Sequence, residues 1–505
     1  MTSPQHCRRT PPAPMVGAFP APGEAVRLAY RELHIALNGS EEQKKALGNH
    51  ALLPRPWEPA SCLDPDLRHG LWEWLEDVVI WLNHDYSWDV AGLIPSCWPL
   101  HPHLVHEVAV LSDQRRRAGL AMPAARSSCE SPHRCRLEQE WGGRSAVGDM
   151  ANLFESLTVG AWTLPNRLVM APLTRNRAEG TVPGDLAVEY YSQRASSGLI
   201  ITEGSQPTAE GQGYLNTPGF HTEEQLAGWR RVADGVHANG GRIVAQLMHV
   251  GRISHPDNTG GEEIIAPSPV AAPDEMFTAD GMKPYPTPRE ITVEEIPSII
   301  EGYVQAARNA IEAGLDGVEV HGANGYLIHQ FLAPGSNHRT DQYGGSPKNR
   351  VRFALEVTRA VADAIGADRV GIRISPAHNI QGATEENPVD VAATYRLLVA
   401  GLAPLGLAYL SILADPKQDL VQELRRSFGG VVVANDGFGQ ITTRESAQEI
   451  LDKGLADAVA VGRPFLANPD LPARWRTGAE LNEPNPDTFY GGGAEGYTDY
   501  PFLDS

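Results

Sequence analysis

Residues 317–346 read Gly317-Val-Glu-Val-His-Gly-Ala-Asn-Gly-Tyr-Leu-Ile-His-Gln-Phe-Leu-Ala-Pro-Gly-Ser-Asn-His-Arg-Thr-Asp-Gln-Tyr-Gly-Gly-Ser346. The stretch opens with Val318 and Val320 in a short β-branched run of the kind that makes a buried parallel strand, and the run ends abruptly in His321, Gly322, Asn324, Gly325 and Tyr326. Polar chemistry therefore begins where the strand stops. In a parallel α/β protein that junction is the carboxyl edge of the sheet, where active sites collect. His321 and Asn324 can each donate a hydrogen bond and Tyr326 carries a phenol, so three groups able to polarise or protonate a ligand lie close together in the chain.

Outward from this stretch the same alternation repeats. Short apolar runs at Arg167–Pro172, Leu199–Glu203, Arg242–His249, Gly317–His321, Val370–Ser375, Tyr409–Leu413, Val431–Asn435 and Ala458–Gly462 read as strands. Helical stretches separate them: Gly184–Ser197, Glu223–Ala238, Val293–Ala313, Arg350–Ile365, Val389–Leu402, Gln418–Phe428 and Arg444–Lys453. Eight β/α units from residue 150 to 505 specify an α/β fold of the (β/α)8 TIM-barrel type. The connection from Val250 to Thr292, dense in Pro and Gly, is too long for an idle loop and is expected to cap the site. Polar residues gather at the strand ends: Pro172-Leu173-Thr174-Arg175, Glu203-Gly204-Ser205-Gln206, Gln246, His249 and Arg373. Each alone reads equally well as a satisfied interior residue, but a barrel brings them all to one face.

The part before Met150 has a different character. All five cysteines and seven of the ten tryptophans lie there, whereas most of the net charge of -20 belongs to the second part. That charge argues against nucleic acid or an anionic membrane as partner, since both call for a basic footprint. No apolar run of about 18 residues and no secretory leader stands out, so a cytoplasmic protein is expected. Residues 1–49 read as a disordered tail with a short helix near Glu24 to Ala46, residues 50–123 as a small helical module, and residues 124–149 as a linker. The module's helices are expected at Leu71–Leu82 and Leu104–Ala118. Cys129, His133 and Cys135, with Cys97, His101 and His103, match no common zinc spacing, and free thiols are the expected reading. This region resembles an uncharacterised bacterial domain family whose mark is a tryptophan-bearing helix followed by a turn like Pro95-Ser-Cys-Trp-Pro-Leu-His-Pro102.

Residues 150–505 resemble the Old Yellow Enzyme family, in the single-barrel subgroup of FMN-dependent ene-reductases that includes N-ethylmaleimide and nitrate ester reductases. The stretches that carry the resemblance are Asn166-Arg-Leu-Val-Met-Ala-Pro-Leu-Thr-Arg175, Ala245-Gln-Leu-Met-His-Val-Gly-Arg252, Val318 to Gly345, Gly371-Ile-Arg-Ile-Ser375, Ala458 to Leu471, and the tail from Phe489 to Pro501. The resemblance implies noncovalent FMN, with NADPH rather than NADH as the expected hydride donor, and an activated alkene as the second substrate in ping-pong order. It implies that Pro172, Thr174, Gly204, Gln246 and Arg373 hold the flavin ring. Asn435, Gly437, Phe438, Gly462 and Arg463 would hold the phosphate end, with Asp436 an unexpected acid beside a phosphate. It further implies that His321 and Asn324 grip the substrate's carbonyl or nitro oxygen, and that Tyr326 protonates the α-carbon. Tyr214, Met248 and Tyr490 would line the substrate side, Met248 standing where many relatives carry tryptophan. The loop from Pro376 to Asn387 departs from close relatives, so the resemblance does not transfer substrate preference.

Other classes fit less well. An iron-sulfur relative needs a cysteine run that the second part lacks. An aldolase-type barrel needs a Schiff-base lysine at a strand end, where none is visible. A different hypothesis makes residues 50–123 a protein-interaction module, with an unknown partner and the barrel as a fused or vestigial flavin-binding unit. In another, Met150 is the true start. The catalytic unit is expected as a monomer or homodimer.

Overall fold

The computed structural model of the chain describes residues 152–503 and, ahead of them, residues 22–38, 44, 45, 47, 53–56, 61, 62 and 64–81. The chain divides into two units, Met1–Arg144 and Ser145–Ser505.

In the first unit a helix at Glu24–Asn38 and another at Pro65–Trp81 share one small core of Val26, Ala29, Tyr30, Leu71, Trp74, Leu75 and Val78. Tyr30 meets Trp74 edge-on, ring centroids 6.4 Å apart. The helix expected inside the tail is thus present, and it packs on the helix of the expected module, so the boundary drawn at residue 49 falls between two elements that share a core. Cys62 is buried in the same cluster. The expected helix at 104–118, the turn at 95–102, the candidate zinc ligands and the linker at 124–149 all lie outside the described residues.

The second unit opens with a hairpin, β1 (Leu157–Val159) paired antiparallel with β2 (Trp162–Leu164). The barrel strands are β3 (Leu168–Met170), β4 (Leu199–Ile201), β5 (Ile243–Leu247), β10 (Gly317–Gly322), β11 (Val370–Ile374), β12 (Tyr409–Ile412), β13 (Val432–Ala434) and β14 (Ala458–Val461). They are parallel to their neighbours in that order, and β14 pairs back to β3 to close the barrel. All eight expected strands are present. Several end a residue or two early, because the last residues of each run bend away from the ladder to carry polar side chains. Every residue of these strands is buried, as their Val, Ile and Leu content demands of a sheet covered on one face by helices and filled on the other.

The helices follow their local signals. Thr222 and Gln225 form a capping box at the start of Glu223–Ala238, and Thr443 with Ser446 does the same for Arg444–Asp452. The hairpin β1–β2 lies under the amino ends of the strands: Trp162 packs so close to Gly317 that a Cβ there would sit 2.7 Å from its ring. At the opposite end, the segment 250–292 carries β6 (Ile265–Ala266), β7 (Glu275–Thr278), β8 (Gly281–Pro284) and β9 (Arg289–Glu290). The β7–β8 hairpin places Phe277 in the lining of a cavity at the barrel's carboxyl face, as expected of a cap. Among the described residues, no helix is long and apolar enough to cross a membrane.

Candidate active site

A cavity of about 520 Å³ opens at the carboxyl face, lined by Thr174, Asn176, Tyr214, Leu215, Asn216, Phe277, Tyr326, Tyr490 and Gly491. Four of these, Thr174, Tyr214, Tyr326 and Tyr490, were anticipated from the sequence, and they come from four separate parts of the chain. Asn176, Leu215, Asn216, Phe277 and Gly491 were not. Asn176 and Asn216 adopt left-handed backbone conformations, φ 55° and 56°, and Ala178 N donates to Asn216 O at 2.9 Å. Asparagine tolerates that conformation better than most residues, and the two asparagines are the sequence signal for these turns.

The decisive stretch does what its break in pattern suggests. β10 ends at Gly322, and the chain then turns through Asn324 (φ 59°) and Gly325 (φ 77°) before a short helix, Leu327–Leu332. The turn is tied down on three sides: Asn324 N donates to Ser375 Oγ at 3.0 Å, Gln381 Nε2 donates to Asn324 O at 3.2 Å, and Gly325 N donates to His329 Nδ1 at 2.8 Å. Tyr326 is thereby aimed at the cavity, with its hydroxyl 2.9 Å from that of Tyr214. Burial raises the pKa of both phenols, so both stay protonated at neutral pH.

His321 and Asn324 precede Tyr326 in the chain and are not among the residues that line this cavity. The His321 ring centroid is 5.2 Å from that of Tyr326. Burial, the Arg373 guanidinium and His329 hold the His321 pKa well below the ordinary imidazole value, so the ring is neutral and carries a single N–H. Its Nδ1 and the Oδ1 of Asn324 have no hydrogen-bond partner. Met248 is buried beside Tyr326, in a small cluster with Val250, Ile253, Ala272 and Met276, instead of facing the open cavity. Its sulfur lies 2.5 Å from where a Cβ on Gly204 would be, so a side chain at 204 would force the Met248 thioether to move.

One layer further in lie Gln246 and Arg373. Gln246 Nε2 donates to Glu319 Oε1 at 2.8 Å, and Arg373 keeps a buried Nε without a partner. On the opposite rim, Asn435 Oδ1 accepts from Gly437 N at 3.0 Å and so shapes a turn in which Gly437 has φ 95°. Phe438 is exposed and its ring meets that of His378 at a tilt, centroids 4.2 Å apart. The acid that looked misplaced, Asp436, accepts from Ser446 Oγ at 2.6 Å and so belongs to the start of the next helix. Gly462 N-caps the short helix Arg463–Ala467, and Arg463 is exposed. Pro172 and Thr174, half-buried, follow β3.

Sequence reading missed how the tail is fastened. Arg175, buried beside Thr174, donates from Nε to Phe489 O at 3.0 Å and from Nη2 to Gly496 O at 2.8 Å. Arg177 donates to Gly493 O at 3.0 Å and Thr488 O at 2.9 Å. Together they clamp the segment 488–496, which carries Tyr490 and Gly491, over the cavity. Arg175 N also donates to Glu203 Oε2 at 3.0 Å, and burial lifts the Glu203 carboxyl to about 7.

The NADH:flavin oxidoreductase / NADH oxidase family matches residues 152–482. The chain belongs to this family. Curated relatives include 12-oxophytodienoate reductase 7 of Oryza sativa subsp. japonica, 43% identical over 378 residues that cover 70% of this chain and 95% of that protein. A probable flavin mononucleotide-dependent alkene reductase of Leishmania infantum is 44% identical over 362 residues, covering 70% and 97%. Among solved structures, morphinone reductase in complex with tetrahydroNAD superposes with a TM-score of 0.66 at 48% identity, covering 70% and 98%. The Old Yellow Enzyme homologue from Zymomonas mobilis gives 0.66 at 40% identity, covering 70% and all of that chain. The barrel is thus an FMN-dependent oxidoreductase unit of the Old Yellow Enzyme type, and its own atoms fit that cofactor. An unpartnered buried Arg373 Nε and an exposed Arg463 beside a glycine turn are suited to an anionic ring and a phosphate.

Proposed function

We propose that the protein takes hydride from NAD(P)H and reduces the C=C bond of α,β-unsaturated carbonyl or nitro compounds, with FMN held at the carboxyl face of the barrel. The observation that carries this reading is the Tyr326 phenol, protonated, aimed into an open cavity and set beside a neutral His321. Bound FMN supplies the hydride chemistry.

The chain's own residues do the rest. Thr174, Gly204, Gln246 and Arg373 hold the flavin ring, and Arg373 favours the negative charge that reduction leaves on it. Backbone amides at Asn435–Phe438 and Gly462, with the Arg463 guanidinium, hold the phosphate. His321 and Asn324 donate to the substrate's carbonyl or nitro oxygen, which gains charge in the transition state. Tyr326 gives its proton to the α-carbon, and Tyr214, as donor to the Tyr326 oxygen, stabilises the phenolate left behind. Leu215, Phe277 and the ring of Tyr490 make the cavity wall largely apolar, which suits an alkene with a sizeable hydrocarbon frame. NADPH as preferred donor, a cytoplasmic location, and a protein partner for residues 50–123 belong to the same proposal. The last rests on the tryptophan-rich composition of that segment.

The test is an absorbance spectrum of the purified protein under anaerobic conditions, first with NADPH and then with 2-cyclohexenone. Yellow protein that bleaches with the first and recovers with the second is the expected result. Colourless protein that does not take up FMN refutes the reading.

A further inference from the structure

Beneath the 322–326 turn the barrel interior holds a buried acid that the cavity does not use. Glu319 on β10 is fully buried, in register with Gln246 on β5 and Gly371 on β11. Gly371 is in turn in register with Tyr409 on β12, whose ring fills the space a side chain there would take: a Cβ on Gly371 would lie 2.3 Å from Tyr409 Cζ. Towards the carboxyl face, His321, Arg373 and Ser411 align in the same way, and Arg373 Nη1 donates to Ser411 Oγ at 3.4 Å. Glu319 Oε1 accepts from Gln246 Nε2, the Tyr409 phenol lies against the Glu319 carboxyl, and Arg373 Nε has no hydrogen-bond partner. The acid and the guanidinium therefore lie in neighbouring rows of the barrel interior, Glu319 level with Gln246 and Tyr409, Arg373 level with His321 and Ser411.

We propose that Glu319 is the internal counterion of Arg373, a positioning residue that fixes the Gln246 amide and, through its negative charge, lowers the reduction potential of bound FMN. An ionised carboxylate can only accept, so it must take the NH2 side of Gln246 and thereby sets which way that amide faces. A lone guanidinium buried in this interior would carry a large desolvation cost, which a carboxylate in the neighbouring row offsets. Burial holds the Glu319 carboxyl above the ordinary carboxylate value, and the Arg373 charge, the Gln246 amide and the Tyr409 phenol recover part of that shift. The inference rests on the assignment of Gln246 and Arg373 to the flavin ring. Given that assignment, the negative charge that reduction places on the ring is repelled by Glu319 and attracted by Arg373, so the potential reflects the balance of the two.

The experiment is a spectroelectrochemical titration of FMN-loaded protein at pH 7. Glu319→Gln keeps the volume and still accepts from Gln246. It is expected to shift the oxidised–reduced equilibrium about tenfold towards the reduced form, about 30 mV for a two-electron couple. Glu319→Asp keeps the charge and is expected to stay within about threefold of the unaltered protein, and it supplies the test if the first variant does not fold. An unchanged potential in yellow Glu319→Gln, or an equal rise in Glu319→Asp, overturns the inference. Unaltered protein that fails to retain FMN overturns the ring assignment instead.

Discussion

Replacing Arg175 by Met should loosen the tail without unfolding the barrel. The side chain is 1% exposed and makes two short hydrogen bonds, to Phe489 O and Gly496 O, and a longer one to Thr488 O, which Arg177 also serves. Counting only the two unshared bonds at about 1.5 kcal/mol each, the low end for a charged donor, gives about 3 kcal/mol. That corresponds to roughly a hundredfold change in the local opening equilibrium of the segment. Its lost stacking on Tyr190 and Tyr497, at 5.1 and 4.9 Å, adds to this, while Met preserves much of the packing. Amide hydrogen exchange reads the effect directly. The Gly491 N–H, bonded to Arg175 O, and the Tyr497 N–H, bonded to Ala494 O, are expected to exchange about a hundredfold faster, and amides of β10 and β11 to be unchanged. Because Tyr490 and Gly491 form one wall of the cavity, KM for the alkene should rise more than kcat falls. Exchange at 491 and 497 within threefold of the unaltered protein, or equal acceleration throughout the barrel, refutes the clamp.

Other expectations follow from single contacts. Tyr326→Phe should slow alkene reduction by about a hundredfold or more while leaving flavin reduction by NADPH untouched, as stopped-flow on the separate half-reactions would reveal. Arg463→Ala should weaken FMN binding by about tenfold or more but leave riboflavin binding unaltered, since only FMN carries a phosphate; equal loss for both would remove Arg463 from the phosphate site. Gly204→Ala would press a Cβ onto the Met248 sulfur and should cost about 1–3 kcal/mol, recovered in part by adding Met248→Ala, as read by thermal unfolding. Glu203 is lifted by burial to about 7, so the unfolded chain releases its proton more readily than the folded one. Its contribution is full below the unfolded value near 4.5 and is lost as pH rises through about 7. Glu203→Gln should therefore gain stability relative to the unaltered protein at pH 8 but not at pH 4, and a pH-independent difference would contradict the shift.

The eight strands were legible because a strand buried on both faces must be a nearly unbroken apolar run, and each run stops at a polar or glycine-rich junction. The cap was legible only as length: the 43 residues from Val250 to Thr292, rich in Pro and Gly, gave no warning of the β7–β8 hairpin or of Phe277 on it. The β1–β2 hairpin went unread because three-residue strands leave no usable periodicity. Polar residues near strand ends, such as Gln246 and Arg373, could be placed on the barrel from sequence, whereas contacts that depend on a distant segment could not. Arg175 and the Phe489–Pro501 tail were each noted as motifs, yet nothing in either stretch says that one guanidinium binds the carbonyls of the other. Asp436 is the converse case. It read as a repulsive neighbour of a phosphate because its partner, Ser446, belongs to the following helix.

The 322–326 turn brings these strands of reasoning together. A non-glycine residue at positive φ is strained by about 1 kcal/mol or more, and Asn324 is followed by Gly325, where a Cβ would lie 2.9 Å from Ile380 O. Such a turn persists only if its surroundings over-determine it. Here Ser375, Gln381 and His329 each hold one backbone group of it, and two of the three come from the end of β11 and its following loop. That loop is itself anchored, since Glu385 Oε2 accepts from Ala377 N at 2.8 Å and lies 3.4 Å from His329 Nε2 in a fully buried pair. The direction of the Tyr326 phenol is consequently set from the neighbouring strand as much as from its own. The loop at 376–387 is therefore a place where a change in sequence can re-aim the Tyr326 phenol without touching it.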